Sequence, residues 1–532
     1  MNFVIALFFL AAVITATDVG YEFDLNAEIV FPSDGQDDLQ FNGVDQQNAT
    51  KRNLEFIPQK KYSTNSQGLQ EFTPIRDTIV QSGTNYYSFS VNTTTGLGEY
   101  YEFLIFLTGN ICSQPPHILN NETSLAVYYS FNASMMTNME VSQMVLFHNG
   151  YLQALADVPI QTNDEVADSI LYIAVRAPEN TNRTAQWSYQ IGVSQNDLVF
   201  QWDDRSWASL IDTDDDSALV VTGNLTNAQG QNISELNATE SQFSLYIYSY
   251  DYNDYFTSIN SSWCAVRNGP ALIRPEEIQS SYTTRNGALQ QQFYVTGLNA
   301  STKYIAYLIS DFSGVDFGGA VYSPFEFETL DSPSCELIYD LDFCDQIAYS
   351  VPASSKATKE EIMSLYDNRA RDLYVNFTKA LQQIPCDTLE NAVFSPMKTC
   401  KDCADSYKDW LCAVTIPRCS TRNITGYKER APGNSRNDYI NEVIQPDLTY
   451  FEVMPCVNVC EAIVRDCPAD FGFMCPIKNE SISLSYFWDN GGDWPTCNYV
   501  GKYAITASSA ALRAFVVNGW LLATVVFCMV MM

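Results

Sequence analysis

Apolar and polar positions change their rhythm once along this chain, near residue 335. Between residues 75 and 330 the apolar runs are short: YYSFSV (86–91), YEFLIFLTG (101–109), SLAVYYSF (124–131), ILYIAVRA (170–177) and SLYIYSYDY (244–252) are aromatic or β-branched. Clusters of Asn, Gly, Ser and Asp separate them, the punctuation of strands. Strands at this spacing predict two β-sandwiches, over 75–200 and 201–334. Beyond 335 the period lengthens. Residues 358–384 place Ile362, Tyr366, Leu373, Phe377, Leu381 and Ile384 at helical spacing, and Thr358 with Glu361 supplies a capping box. PCVNVCEAIVRDC (455–467) sets Cys456, Cys460 and Cys467 at i, i+4 and i+11, one face of a helix that Pro468 ends. The expectation for 335–500 is a mainly helical, cysteine-rich domain, so the chain reads as multidomain: all-β sandwiches, then a helical disulfide-knit module, then an apolar tail.

The ends carry their own patterns. Residues 3–14 are almost wholly apolar and run into small residues, which predicts a signal peptide over 1–17. Residues 18–74 are rich in Asp, Asn and Gln with weak periodicity and read as an acidic, polar lead-in. Residues 514–532 hold no charge after Arg513, so 501–532 reads as a linker and an apolar tail, either a membrane anchor or a GPI-attachment signal that would remove Cys528. Export changes the reading of the Asn-x-Ser/Thr pattern. It occurs at Asn48, Asn92, Asn121, Asn132, Asn182, Asn224, Asn232, Asn237, Asn260, Asn299, Asn376, Asn423 and Asn479, spread over the whole length, and predicts a glycosylated ectodomain. A formal net charge of −33 repels phosphate backbones, which argues against nucleic acid as a partner.

An oxidising compartment makes the cysteines structural. Twelve of the fifteen lie between Cys335 and Cys497: Cys335, Cys344, Cys386, Cys400, Cys403, Cys412, Cys419, Cys456, Cys460, Cys467, Cys475 and Cys497. That density is a disulfide framework. Zinc is disfavoured, because His117 and His148 are the only histidines and both lie outside the module. Cys400 and Cys403 have the CxxC spacing of redox sites, without a thioredoxin-like βαβ pattern around them. Cys112 and Cys264 are candidates for one more bond between the β domains. Sharper chemistry is sparse. Asp212, Asp214 and Asp216 mimic the first ligands of an EF-hand loop, but Ser217 stands at its glycine position and Gly223 where its bidentate Glu belongs. The alternatives there are a loose calcium site and an acidic solvated turn. No G-x-S-x-G, H-E-x-x-H or Gly-rich phosphate loop occurs, so neither an enzyme nor a cofactor is expected. Trp488 and Trp494 flank the polar turn DNGGD and are candidates for exposed partner contacts.

Three stretches carry family resemblances. FYVTGLNASTKYIAYLI (293–309) places Leu298, Thr302 and Tyr304 as in the L-x-P-x-T-x-Y corner of fibronectin type III domains, with Ala300 where proline is usual. The resemblance implies a tyrosine corner, the Tyr304 hydroxyl returning to upstream backbone. WLCAVTIPRC (410–419) and PCVNVCEAIVRDCPADFGF (455–473) resemble the cysteine runs of Frizzled-type domains, and FCDQIAYSVP (343–352) sits where such domains lead into their first long helix. That resemblance implies the pairs Cys335–Cys419, Cys344–Cys412 and Cys386–Cys467, with no counterpart for Cys400 or Cys403. The whole order of segments is similar to the fungal calcium-channel accessory subunits named for mating-pheromone-induced death. Membership there implies a glycosylated regulatory subunit of a plasma-membrane, voltage-gated-like calcium channel that supports high-affinity or stretch-activated calcium influx. Its cysteine-rich domain would dock outside the cell on a four-repeat pore-forming subunit, with the endoplasmic reticulum as a further location. The competing readings are a Frizzled-like receptor or ligand-binding surface protein, and a GPI-linked surface enzyme.

Overall fold

A computed structural model describes residues 66–91, 104–115, 124–157, 170–179, 185–225, 243–285, 287–312, 317–385, 394–395, 397–489 and 495–501. The expected signal peptide, most of the lead-in and the apolar tail lie outside them. Among the described residues no helix is long and apolar enough to cross a membrane.

Nine strands build the first sandwich: β1 (Gln67–Leu69), β2 (Ile75–Val80), β3 (Thr84–Ser90), β4 (Leu104–Ser113), β5 (Ala126–Ser130), β6 (Gln143–Leu146), β7 (Tyr151–Asp157), β8 (Ile170–Arg176) and β9 (Gln186–Ser194). They form two sheets, in orders β1-β3-β8-β5-β6 and β2-β9-β4-β7. Strand β1 falls inside the segment read as a polar lead-in. Its three residues pair in parallel with Tyr87–Phe89 of β3, and a single apolar residue, Leu69, is the only one it buries. In place, every second side chain turns inward: Tyr87 and Phe89 of β3, Leu171, Ile173 and Val175 of β8, and Trp187, Tyr189, Ile191 and Val193 of β9 meet between the sheets.

The second sandwich uses β10 (Phe200–Asp203), β11 (Ala208–Thr213), β12 (Ser217–Thr222), β13 (Phe243–Ser249), β14 (Gln279–Arg285), β15 (Ala288–Thr296), β16 (Lys303–Asp311), β17 (Gly319–Tyr322) and β18 (Phe325–Glu328). One sheet runs β11-β12-β15-β14; the other runs β10-β17-β16-β13, with β18 also on β16. Tyr304 is wholly buried and its hydroxyl accepts the Asn299 backbone N–H at 2.8 Å, the bond a tyrosine corner makes. Two short helices, α1 (Asn253–Phe256) and α2 (Trp263–Asn268), follow β13. Helix α2 packs on β4 of the first sandwich, and Cys264 bonds Cys112 there across 152 residues of sequence. One hydrophobic core runs through both sandwiches at this seam, joining Phe147 and Ile191 to Tyr248, Trp263 and Tyr307. Gly150 matters to it: φ is +81°, and a Cβ would lie 2.8 Å from the Ile259 Cα.

The expectation of a mainly helical domain after residue 335 is overturned. The described residues are mainly β-sheet, and the cysteine-rich region is itself mixed. It carries α3 (Lys359–Leu381), α4 (Cys400–Thr415), α5 (Val457–Asp466) and α6 (Asn479–Ser485). Between them lie β19 (Cys335–Ile338) with β20 (Tyr349–Pro352), and a sheet of β21 (Arg418–Ser420), β23 (Tyr450–Val453) and β22 (Lys428–Arg430). These strands are only three or four residues long, too short to show a period; ladder pairing holds them, and the Cys335–Cys419 disulfide ties β19 to β21. Helix α3 starts as read: Thr358 accepts the Glu361 N–H while Glu361 reaches back to the Thr358 N–H.

Candidate functional site

The charged residues singled out from sequence converge where the second sandwich meets the cysteine-rich region. Strands β11 and β12 are antiparallel, and the turn between them is Asp214-Asp215-Asp216. Asp214 is almost wholly buried. Its carboxylate accepts the N–H groups of Asp216 and Ser217 at 3.1 and 2.6 Å and the Ser217 hydroxyl at 2.8 Å. The same side chain reaches across the seam to accept the Leu337 N–H of β19 at 3.0 Å. A buried carboxylate with this many donors clamps a turn and ties two regions together.

Asp212 performs a second tie. Its carboxylate pairs with the Arg418 guanidinium at 2.9 Å and accepts the Ser350 N–H at 3.2 Å. Burial pushes the Asp212 carboxyl up, and the Arg418 charge pulls it back. Arg418 precedes Cys419, which bonds Cys335 on β19, so ion pair and disulfide fasten the same few residues. Ile211, Leu219 and Val221 from the outer face of the β11–β12 sheet pack against Leu337 and Ala348, an apolar floor beneath the charges.

Sequence reading missed two members of this cluster. Glu336 of β19 is half-buried, and its carboxyl is raised to about 7, by burial first and by the Asp214 charge second. Lys359, the first residue of α3, lies with its Nζ 3.8 Å from the Tyr294 ring centroid and 5.0 Å from that of Tyr339. Burial lowers its pKa, against the pull of Glu336 and Asp214. The only signal in sequence was an acidic residue beside a cysteine and a lysine at a helix start, and neither is unusual alone.

The EF-hand resemblance does not describe this geometry. The carboxylates that lie within 4.8 Å of one another are Asp214, Asp215 and Asp216, while Asp212 belongs to Arg418. Asp214 is already committed to backbone donors, which leaves Asp215, half-buried, and Asp216, exposed, as the oxygens facing outward. The chemistry of the cluster is that of a charged seam.

The framework cysteines close around the region's core. Cys344 bonds Cys412, joining the segment before α3 to α4. Helix α5 is stapled along its length: Cys456 at its start to Cys497, Cys460 in its first turns to Cys475, and Cys467 at its end to Cys403. The implied Cys386–Cys467 pair is therefore corrected to Cys403–Cys467; the packing of α4 on α5 brings Cys403 to the end of α5. Cys400 is also disulfide-bonded, and Cys386 and Cys528 lie outside the described residues.

The partner-contact candidates divide. Trp488 is half-buried, packed beside Tyr486 and Cys475 and edge-on to Phe487, so much of its ring serves the fold. Trp494 lies outside the described residues. Apolar exposure occurs instead at Met474 and Ile477, 87% and 92% exposed, on either side of the Cys475-Pro476 pair. Of the sequon asparagines that are described, Asn132, Asn224, Asn299, Asn376, Asn423 and Asn479 are exposed and Asn260 is half-buried; Asn48, Asn92, Asn121, Asn182, Asn232 and Asn237 lie outside.

Comparison with known proteins gives this seam a context. A family model described as stretch-activated Ca2+-permeable channel component matches residues 104–503. The stretch-activated cation channel MID1 of Saccharomyces cerevisiae is 38% identical over 487 residues, covering 83% of this chain and 88% of its own. The stretch-activated cation channel yam8 of Schizosaccharomyces pombe is 35% identical, over 61% of this chain and 67% of its own. A MID1 of Cryptococcus neoformans var. grubii is 25% identical over 29% of each. Among solved structures, the glycoside hydrolase domain of Endo-D from Streptococcus pneumoniae shares 11% identity over 48% of this chain and 33% of its own, at a TM-score of 0.19 that carries no argument. With the family model running from β4 of the first sandwich through the second sandwich and the cysteine-rich region, and a relative this similar across most of both lengths, the chain belongs to the family of stretch-activated Ca2+-permeable channel components.

Proposed function

We propose that this chain is the accessory, non-conducting member of a plasma-membrane calcium channel, placed outside the cell, where its cysteine-rich region grips the extracellular loops of a four-repeat pore subunit. The observation that carries the reading is the direction of the side chains. Both sandwiches bury aromatic and aliphatic residues between their sheets, whereas a conducting barrel lines its interior with polar groups and turns apolar ones outward. Exposed sequon asparagines along the body fit the same extracellular placement. The relatives are named stretch-activated cation channels, and under this reading the present chain contributes the extracellular regulator to such an assembly. The rigid seam at Asp212, Asp214 and Arg418 would let the β body and the docking region move as one piece.

The test is purification of the full-length protein from its own membranes in mild detergent, with a tag placed after residue 17, followed by mass spectrometry. A stoichiometric four-repeat channel polypeptide is the expected result. Its absence, from a preparation in which the protein is glycosylated and at the surface, would overturn the accessory reading. Calcium itself is a partner through the pore; a direct site on this chain would show as calcium-dependent protection at Asp215 and Asp216 in hydrogen exchange.

A further inference from the structure

A trough of about 880 Å³ opens on the first sandwich and is lined by that sandwich alone. Its size is that of small-molecule sites, which run from roughly 300 to 1,000 Å³. It lies where β6 and β7 come together, and among the described residues these are the end strands of their two sheets. Buried Tyr129 lines it, with its hydroxyl 2.6 Å from the Gln143 Oε1 of β6 and 3.3 Å from the Leu155 carbonyl oxygen of β7. Phe131 is half-buried beside it, and the carboxylates of Glu140 and Asp157 stand exposed at the rim.

That lining selects a ligand. It holds two carboxylates and neither lysine nor arginine, so it repels phosphate and other anions. The carboxylates accept from hydroxyl groups, and the Gln143 amide, its oxygen taken by Tyr129, still has its NH₂ to donate. The negative faces of the Tyr129 and Phe131 rings suit the weakly positive C–H face of a sugar. The wall also contains a point of attachment. Asn132 lines the trough, is exposed, and begins the sequon Asn132-Ala133-Ser134. Its side chain caps the short turn Ala133–Met136, the Oδ1 accepting the Ser134 N–H at 2.9 Å, and wholly buried Met135 anchors that turn. The Asn132 Nδ2, the atom that N-glycosylation modifies, makes no hydrogen bond among the described residues.

We propose that the trough is the seat of the chain's own Asn132 glycan, whose first two N-acetylglucosamine rings lie along β6 and β7. Attachment draws on a lipid-linked pyrophosphate oligosaccharide. A bond forms from the Asn132 Nδ2 to the sugar C1, the C1–O bond to the pyrophosphate breaks, and one amide proton departs with the leaving group. Seated there, the glycan covers Val141, 43% exposed in the trough wall, and shields two strand edges that would otherwise be open to pairing with another chain. The inference rests on the extracellular placement proposed above, because only an exported chain meets that donor.

The test uses full-length protein purified from its own membranes in mild detergent. It is treated while folded with peptide N-glycosidase F in heavy-oxygen water, which marks each released asparagine for peptide mapping. Release at Asn132 should be at least ten-fold slower than at exposed Asn299 and Asn423, and the three rates should converge after denaturation. Ser134→Ala removes the sequon but keeps the backbone N–H that holds Asn132, so it tests the sugar and not the turn. Hydrogen exchange in β5, β6 and β7 should rise about ten-fold in that variant and stay native in Ser134→Thr, which keeps the sequon. Equal release rates in the folded protein, or unchanged exchange in Ser134→Ala, would overturn the inference. A glycan missing from Asn132 alone would overturn it and leave the extracellular placement standing; glycans missing from every sequon would overturn both.

Discussion

At the scale of single residues, the seam depends on charges that have left water. Arg418 and Asp212 expose only 7% and 14% of their side chains. Removing one partner of such a pair leaves the other charged and unmatched, so Arg418→Ala is expected to cost about 3–5 kcal/mol. Asp212→Ala combined with Arg418→Ala should cost clearly less than the sum of the two single changes, read from denaturant midpoints of the purified protein. Glu336 gives the pH dependence. Its folded value of about 7 lies above the 4.5 of an ordinary glutamate, so the folded state holds the proton more tightly. That contribution is full below about 4.5 and is lost as pH rises through 7. Glu336→Gln should flatten the fall in melting temperature across this window and stabilise the protein above it, by no more than about 2 kcal/mol once solvent screening is allowed for. An unchanged slope in the variant would assign the pH dependence to other groups.

At the scale of elements, the two halves of the chain are made differently. Long strands such as β4 and β16 declare themselves through apolar, aromatic and β-branched runs, and α3 announces its start through Thr358 and Glu361. Tyr304 is held by one hydroxyl bond at a strand corner. Tyr304→Phe leaves the Asn299 N–H without that acceptor and should cost about 1–2 kcal/mol, measured as a lowered melting temperature. In the cysteine-rich region the strands are too short for pattern, and stapling replaces propensity. Loss of the Cys403–Cys467 bond through paired serine substitutions is expected to cost about 2–5 kcal/mol. Surface level and glycosylation must be measured beside channel activity, since retention of a misfolded chain would mimic a functional defect.

At the scale of the whole molecule, two disulfides stand at the joints of the body. Cys112–Cys264 fastens the first sandwich to the second, and Cys335–Cys419, within the cysteine-rich region, holds β21 to the β19 strand that follows the second sandwich. At both joints the bond sits beside packed apolar residues, so neither is a bare tether. Replacing Cys112 and Cys264 by serine should leave each sandwich folded but raise hydrogen exchange in α2 and the adjoining part of β4 by at least ten-fold. No change in exchange would show that the shared core alone holds the seam. For a protein in a stretch-activated family, these joints are the natural lines along which load would pass between the regions, and the same variant tested for stretch-evoked calcium influx would report on that.

The amino-acid pattern alone determined the β character of residues 75–330, the capped helix after Thr358, the structural use of the cysteines and, through its motifs, the family. These are local or compositional properties: aromatic and β-branched runs, capping chemistry and cysteine density act within a few residues or over the chain as a whole. Tertiary structure decided the rest. It turned Asp212 toward Arg418 across 206 residues, made Asp214 a clamp on β19, chose Cys403 over Cys386 for Cys467, and added Glu336 and Lys359 to the seam. Each of those outcomes depends on which surfaces pack together, and desolvation at that packing raised the Asp212 and Glu336 carboxyls.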